Sequence, residues 1–385
     1  MNADERQVVL LVDDAPANLQ IVSSILKDAY KIRVATNGAK ALELAKGTPA
    51  PDLILLDIVM PEMDGYEVCT RLKAASETQD IPVIFLTGQT ETEDETRGFE
   101  VGAVDYIHKP FSAPVVKARV HTHLVLREMR EQLARQLKAI KEELETARQI
   151  QLSILPREIP KIEGLEVAAR YIPMTSVAGD FYDFIQVDDK RLGILMADVS
   201  GHGMPAALIA SMLKIALAAQ SAHALDPALV LSGLNQALCG KFRGHYVTAA
   251  YALVDIEKQI VRYGAAGHPP MLLKNQSAGS TREVTENGLF LGSFPKATYS
   301  SVEVPFAPGD WGVLYTDGVP EMTDISDEQF GKERFMRFLD SNQNLGADQF
   351  VHGLLEELSR WSDRASGREP EDDVTIVAFH SQAPA

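Results

Sequence analysis

Short apolar runs that end in bare carboxylates constrain this fold more than any other feature of the chain. VVLLV at 8–12 runs into Asp13 and Asp14, and LILL at 53–56 runs into Asp57. In the second half, strand-like segments adjoin Asp180, Asp198, Asp317 and the pair Asp372 and Asp373. A run of this kind belongs in a buried sheet, and a carboxylate at its end needs a cation, hydrogen bonds or water. A single strand-end aspartate is commonly a turn former or a helix cap. Two clusters of them predict two hard-cation sites, one in each half of the chain.

A chain of 385 residues has room for two ordinary domains, and its net charge of -17 argues against a nucleic-acid backbone as the main partner. Neither an opening apolar segment nor a run of eighteen apolar residues is present, so no export signal and no membrane span is expected. Cys69 and Cys239 lie outside any CxxC pair, which suits a reducing cytoplasm.

In the first half, further apolar strands are predicted at 83–86, ending in Thr87, and at 104–107, followed by His108, Lys109 and Pro110. A helix is predicted from Asn18 to Ala29, with Leu19, Val22, Ile25 and Leu26 on one face. Apolar strands alternating with amphipathic helices predict a parallel sheet covered on both faces, its site beyond the carboxyl ends of the strands. Asp13, Asp14, Asp57, Thr87 and Lys109 all fall there. The three aspartates can hold one hard cation, which leaves Asp57 able to attack phosphorus and carry an acyl phosphate. Lys109 supplies positive charge for phosphoryl oxygens and Thr87 a hydroxyl donor.

These segments, DD at 13–14, LLDIVMPEMDG at 55–65, FLTG at 85–88 and DYIHKPF at 105–111, resemble the receiver domain of two-component response regulators. The resemblance spans residues 1–120 as a domain and implies a doubly wound, five-stranded parallel sheet. It further implies that a sensor histidine kinase or phosphotransfer protein phosphorylates Asp57. Mg²⁺ would then sit on Asp13, Asp14, Asp57 and the Val59 carbonyl, with Thr87 and Lys109 sensing the phosphoryl group. Tyr106 occupies the place of the aromatic switch; the alternative is a half-buried sheet aromatic.

From Arg119 to Leu152 the chain has no Gly or Pro. Leu126, Leu133, Leu137, Ile140, Leu144, Ala147 and Gln151 keep a three-four spacing, interrupted where Arg130 takes an apolar slot. Residues 121–155 therefore read as a helical linker pairing with a second copy as a parallel coiled-coil homodimer, or else as one amphipathic helix lying on its own domain. Pro156 and Pro160 mark its end.

Beyond it, many strands and a few long helices predict an α+β sheet sandwich flanked by helices over 156–385. The acids sit in AGDFYDF (178–184), MADVSGHG (196–203), YTDGV (315–319) and EDDVT (371–375). Adjacent carboxylates repel unless protons or cations intervene, and two hard cations sharing a bridging aspartate would resolve the repulsion and activate a water. With AAGHPPMLL at 265–273 and LGSF at 291–294, these motifs resemble the metal-dependent serine/threonine phosphatases of the PP2C class, in their bacterial sporulation and stress-response branch. ARQIQLSILP at 147–156 resembles the helical entry segment of the same enzymes. The resemblance implies two Mn²⁺ or Mg²⁺ ions. Asp198 would bridge them, the Val199 carbonyl would be a further ligand, Asp317 and Asp372 would hold the first metal, and Asp180 would support the second. Asp373 reads as a structural hydrogen-bond acceptor.

Where the animal enzymes place a histidine two residues after the bridging acid, this chain has Ser200, with His202 two further on. His202 is either the leaving-group acid or a turn-stabilising residue, and His268 either a substrate-side donor or a loop hydrogen-bond partner. No arginine is clearly placed to clamp phosphate. The substrate implied is a phosphorylated anti-sigma factor antagonist or a similar small phosphoprotein. The competing function is a non-enzymatic adaptor of the kind that delivers a sigma factor to a protease; its metal aspartates are typically eroded, whereas here they are filled.

Overall fold

The computed structural model describes residues 6–88, 92–174, 177–242, 244–276, 279–363 and 372–382. It divides into two compact units, Met1–Ile140 and Lys141–Ala385.

The first unit alternates strand and helix: β1 (Val8–Val12), α1 (Pro16–Leu26), β2 (Lys31–Ala35), α2 (Gly38–Ala45), β3 (Leu53–Asp57), α3 (Gly65–Ala74), β4 (Val83–Thr87), α4 (Thr92–Glu100) and β5 (Asp105–His108). The strands form one parallel sheet in the order β2-β1-β3-β4-β5. All five residues of β1, of β3 and of β4 are buried, as a sheet covered on both faces requires. Strand β2 is the fifth strand that the apolar runs do not reveal. It is an edge strand, KIRVA, with only Ala35 buried, so it lacks the apolar signature of its neighbours. Helix α1 starts two residues earlier than expected, at Pro16, because proline at the first helical position needs no hydrogen-bond acceptor.

Helix α5 (Ala113–Ile154) is a single helix of 42 residues. It begins six residues before the predicted Arg119, since Val116, Val120 and Leu124 pack at four-residue spacing into the receiver core. Arg127 caps that contact, donating to the Pro51 carbonyl at 2.9 Å.

The second unit holds β6 (Leu165–Ile172), β7 (Phe181–Gln186), β8 (Arg191–Val199), α6 (Met204–Ala218), α7 (Pro227–Leu238), β9 (Val247–Asp255) and β10 (Ile260–Ala266). It continues through β11 (Met271–Lys274), β12 (Thr281–Val284), β13 (Asn287–Gly288), β14 (Val302–Pro305), β15 (Trp311–Tyr315), α8 (Gly331–Ser341), α9 (Ala347–Trp361) and β16 (Val374–Ser381). One sheet runs β13-β10-β9-β8-β7, with β14 also on β10; the other runs β12-β11-β15-β16-β6. Residues of both sheets and of α6 and α7 share one core, whereas Trp311, Val313 and Tyr315 of β15 turn outward to meet Phe335 and Phe350 of α8 and α9. Period-two alternation thus gives β15 two buried faces and the unit four layers, helix, sheet, sheet, helix. Helix α8 starts at Gly331, after an isolated bridge between Thr323 and Gln329.

Candidate functional site

In the receiver unit, Asp13, Asp14 and Asp57 bring ligand oxygens within 4.8 Å of one another at the carboxyl ends of β1 and β3. Lys109, just beyond β5, places Nζ 2.9 Å from Asp13 Oδ2 and 2.9 Å from Asp57 Oδ2. Asp13 is held further by the Ala15 N–H and the Asn18 amide. Burial pushes the Asp57 carboxyl up, against the hydrogen bond from Lys109 and with the charge of Asp13 adding to the rise. Burial alone would lower the Lys109 ammonium, but its bonds to Asp13 and Asp57 outweigh that and its pKa rises. Thr87 is buried at the end of β4, whereas the Val59 side chain is exposed and its N–H donates to Asp57. Tyr106 is half-buried on β5, edge-on to His108 and Phe99, with the Arg119 guanidinium 5.3 Å from its ring centre.

The acids of the second unit come from both sheets. Asp180 precedes β7 and Asp198 lies at the end of β8, in one sheet; Asp317 follows β15 and Asp372 precedes β16, in the other. The site therefore lies where corresponding strand ends of the two sheets meet. Asp180, 2% exposed, ties the sheets together: its Oδ2 accepts from Thr316 Oγ1 at 2.8 Å and Thr375 Oγ1 at 2.5 Å. Asp373 accepts from the Met174 N–H with one oxygen and the Gly179 N–H with the other, both at 2.7 Å. It thus holds Met174 and Gly179, while Asp372 is exposed. Two glycines allow the close approach. A Cβ on Gly318 would lie 2.0 Å from the Asp373 carbonyl oxygen, and one on Gly179 would lie 2.7 Å from the Val199 carbonyl oxygen. The G of TDG and of AGD is thus dictated by backbone packing beside the acids.

Electrostatics separate the two clusters. Asp198 is pushed up to about 7, first by burial and then by the charges of Asp317, Asp372 and Asp373. Asp317 is pushed up to about 6 by burial, Asp372 and Glu321, and Asp180 well above the carboxylate range by burial and Asp198. No lysine or arginine among the described residues is a principal charge acting on these three, in contrast to the receiver, where Lys109 acts on Asp57. Among the described residues, no three acids of the second unit bring ligand oxygens within 4.8 Å, so the basin is more open than the receiver triad. An all-oxygen donor set with crowded, uncompensated negative charge fits hard divalent cations.

The surrounding residues take definite positions. The Ser200 hydroxyl accepts from the Tyr246 N–H at 2.8 Å, and His245 Nδ1 lies 2.8 Å from the Ser200 carbonyl. His202 is exposed on the turn. His268 is 2% exposed, bonded through Nδ1 to Thr248 Oγ1 at 2.9 Å, and burial pushes it down to about 3, which keeps it neutral at pH 7. Gln151, placed on the coiled-coil seam by spacing, is instead buried inside the second unit. Its amide makes a reciprocal pair with the backbone of Ala178, donating to the carbonyl at 2.6 Å and accepting from the N–H at 3.0 Å. Spacing misses Thr316, Thr375 and Gln151 as supports because each becomes visible only once distant segments meet; the sequence signals are that Thr316 precedes Asp317, that Thr375 lies two residues after Asp373, and that a polar Gln151 holds an apolar slot.

Comparison with known proteins matches these units. The family model Stage II sporulation protein E (SpoIIE) matches residues 188–382, about half the chain, and the response regulator receiver domain model matches residues 9–121. Phosphoserine phosphatase RsbU of Bacillus subtilis is 28% identical over 243 residues, 62% of this chain and 70% of that protein. Phosphoserine phosphatase RsbP of the same organism is 32% identical over 188 residues, 48% of this chain and 46% of that protein. A probable cyclic di-GMP phosphodiesterase of Vibrio cholerae is 54% identical over 116 residues, 30% of this chain, and the chain spans only 26% of its length. The SiaA-PP2C domain of Pseudomonas aeruginosa superposes with a TM-score of 0.57 at 24% identity over 63% of this chain and 98% of that one, and so shares its fold.

Proposed function

The chain belongs to the Stage II sporulation protein E (SpoIIE) family and carries a response regulator receiver domain ahead of the family's domain, and from that premise we propose a phosphatase controlled by receiver phosphorylation. The second unit hydrolyses phosphoserine or phosphothreonine on a regulatory protein, with an anti-sigma factor antagonist or similar small phosphoprotein as substrate. RsbU and RsbP, both phosphoserine phosphatases by name, support the reaction class. One observation carries the reading: acids from both sheets converge and raise one another's pKa, with no lysine or arginine among the principal charges acting on them from the described residues.

Asp198, Asp317 and Asp372 would hold the first cation, Asp198 bridging to a second that Asp180 supports, with the Val199 carbonyl as a further ligand. Bound Mn²⁺ or Mg²⁺ would supply Lewis-acid charge for the phosphoryl oxygens and lower the pKa of the attacking water. The chain's own residues set the geometry. Thr316 and Thr375 fix one oxygen of Asp180 and leave Oδ1 for ligation. Asp373 holds the Met174 and Gly179 backbones and so keeps Gly179 on the Val199 carbonyl. His268 is buried and engaged through Nδ1 with Thr248 Oγ1, whereas exposed His202 is the better candidate for the leaving-group acid, on a turn that Ser200 fastens to Tyr246.

On the receiver, Asp57 accepts a phosphoryl group from a histidine kinase or phosphotransfer protein, with Mg²⁺ on Asp13, Asp14 and the Val59 carbonyl. Thr87, Lys109 and Tyr106 read it out. Helix α5 connects this event to the second unit, where Gln151 grips the backbone next to Asp180. Leu133, Leu137 and Ile140 stay 57%, 51% and 52% exposed on α5, which supports pairing with a second copy in parallel.

The test is hydrolysis of phosphoseryl protein and aryl phosphate by the full chain with Mn²⁺ and with Mg²⁺. Turnover that chelator removes and that Asp198→Ala abolishes is expected. A metal-loaded chain that binds a phosphoprotein without turning it over would favour the adaptor.

A further inference from the structure

We propose that Tyr246, Phe290 and Phe294 form a docking lip for an apolar side chain flanking the phosphoseryl residue of the protein substrate, an inference that rests on the phosphatase reading. The three rings form a ladder at the surface: Tyr246 and Phe290 have centroids 4.4 Å apart, Phe290 and Phe294 5.2 Å. Tyr246 is 42% exposed, Phe294 39%, and the adjoining Leu289 51%. Beside them opens a cavity of about 500 Å³ walled by Cys239, Phe242, His245, Tyr246, Phe290 and Pro295.

The aromatic lining points to the kind of occupant. Among the described residues lining this cavity there is no Asp, Glu, Lys or Arg, in a chain that is 24% charged with a net -17. The polar members of that wall are Cys239, His245 and Ser293, while the ring faces of Phe242, Tyr246 and Phe290 suit an aliphatic or aromatic side chain. An acidic protein gains no long-range attraction for a phosphorylated partner, so short-range apolar contact must hold the substrate beyond its phosphate.

The lip is built, not loose. Asn235, 3% exposed on α7, accepts from the Gly292 N–H and donates to the Phe294 carbonyl, both at 2.9 Å. Leu291 and Val247 exchange backbone hydrogen bonds at 2.8 and 3.1 Å. The segment that displays the rings is therefore fixed before anything binds, which limits the ordering cost of association.

Continuity with the site identifies the occupant. The Ser200 N–H donates to the Tyr246 carbonyl at 2.9 Å and the Tyr246 N–H to Ser200 Oγ at 2.8 Å, and in the strand register Asp198 pairs with Thr248. The lip is thus fastened to the turn that starts two residues after Asp198. A phosphoseryl residue seated on the acids lays its neighbours along that turn and against the rings.

The experiment compares two phosphoseryl peptides of equal charge, one with glycine and one with leucine or phenylalanine on each side of the phosphoserine. The full chain is assayed with Mn²⁺. The parent should prefer the apolar peptide by about ten-fold or more in kcat/KM, mostly through KM. Phe290→Ala with Phe294→Ala should erase the preference and leave the glycine peptide unchanged, while Phe290→Leu should retain part of it. Equal rates on the two peptides by the parent, or an unaltered preference in the double variant, would overturn the proposal. A dimer lost in the double variant with the preference intact would assign the lip to a second copy and overturn it too. No hydrolysis of either peptide would refute the phosphatase reading itself, and the lip with it.

Discussion

At the residue scale, each carboxylate owes its behaviour to its neighbours. Asp198 and Asp317, pushed up to about 7 and about 6, hold protons that their unfolded-state counterparts release near pH 4. The folded chain without metal therefore binds more protons than the unfolded chain between about pH 4 and 7. Its metal-free stability should be fullest below that window and fall as the pH rises through it, a trend that urea melts in chelator at pH 5 and pH 8 would detect. Manganese should reverse the trend, binding more tightly at pH 8 than at pH 6 and expelling protons at pH 6, which calorimetry in buffers of different ionisation heat measures. Removing a hydroxyl from Asp180 gives a companion prediction. Thr375→Val leaves that buried oxygen with the Thr316 donor alone and should cost about 1–3 kcal/mol of stability by denaturant midpoint. A melt that does not move would show that water replaces the hydroxyl. Asp372 and Asp373 could not be told apart by residue type; only their hydrogen bonds distinguish an exposed carboxylate from one that fastens a loop.

At the element scale, apolar content decides what could be read from the sequence. Strands β1, β3 and β4 are buried along their whole length and were legible at once, whereas β2 presents a single buried residue and was not. The two-residue β13 has too few positions to show any period. Helix α5 was legible as a helix, but its three-four spacing conceals three environments. Val116, Val120 and Leu124 pack in the receiver core, Leu133, Leu137 and Ile140 are exposed, and Gln151 is buried in the second unit. Aspartate at both Leu133 and Leu137 would place like charges on the proposed seam without touching either core. Light scattering should then report monomers, with Asp57 still phosphorylated and the hydrolysis rate no longer responding to it. A monomer that still responds would make α5 a tether. Gln151→Ala leaves the Ala178 N–H and carbonyl without their partner in a buried position, and should reduce turnover even in the unphosphorylated chain.

At the scale of the whole molecule, two acid clusters with different neutralising strategies share one chain. Lys109 stands within the receiver triad, whereas among the described residues no lysine or arginine is a principal charge on the acids of the second cluster. Among the described residues, no helix is long and apolar enough to cross a membrane. Coupling between the clusters requires an element with two states that both bias, and α5 spans the boundary between the units. Asp57→Ala should abolish acyl-phosphate formation and spare basal metal-dependent hydrolysis. Lys109→Ala should blunt the response more than the basal rate. The most direct measurement is the manganese-dependent rate of the full chain on a phosphoseryl peptide, taken with and without a small acyl-phosphate donor and Mg²⁺, with modification of Asp57 verified by mass. The account predicts a rate that changes on phosphorylation in the parent and stays constant in Asp57→Ala. A parent whose Asp57 is fully phosphorylated while its rate is unchanged would contradict it.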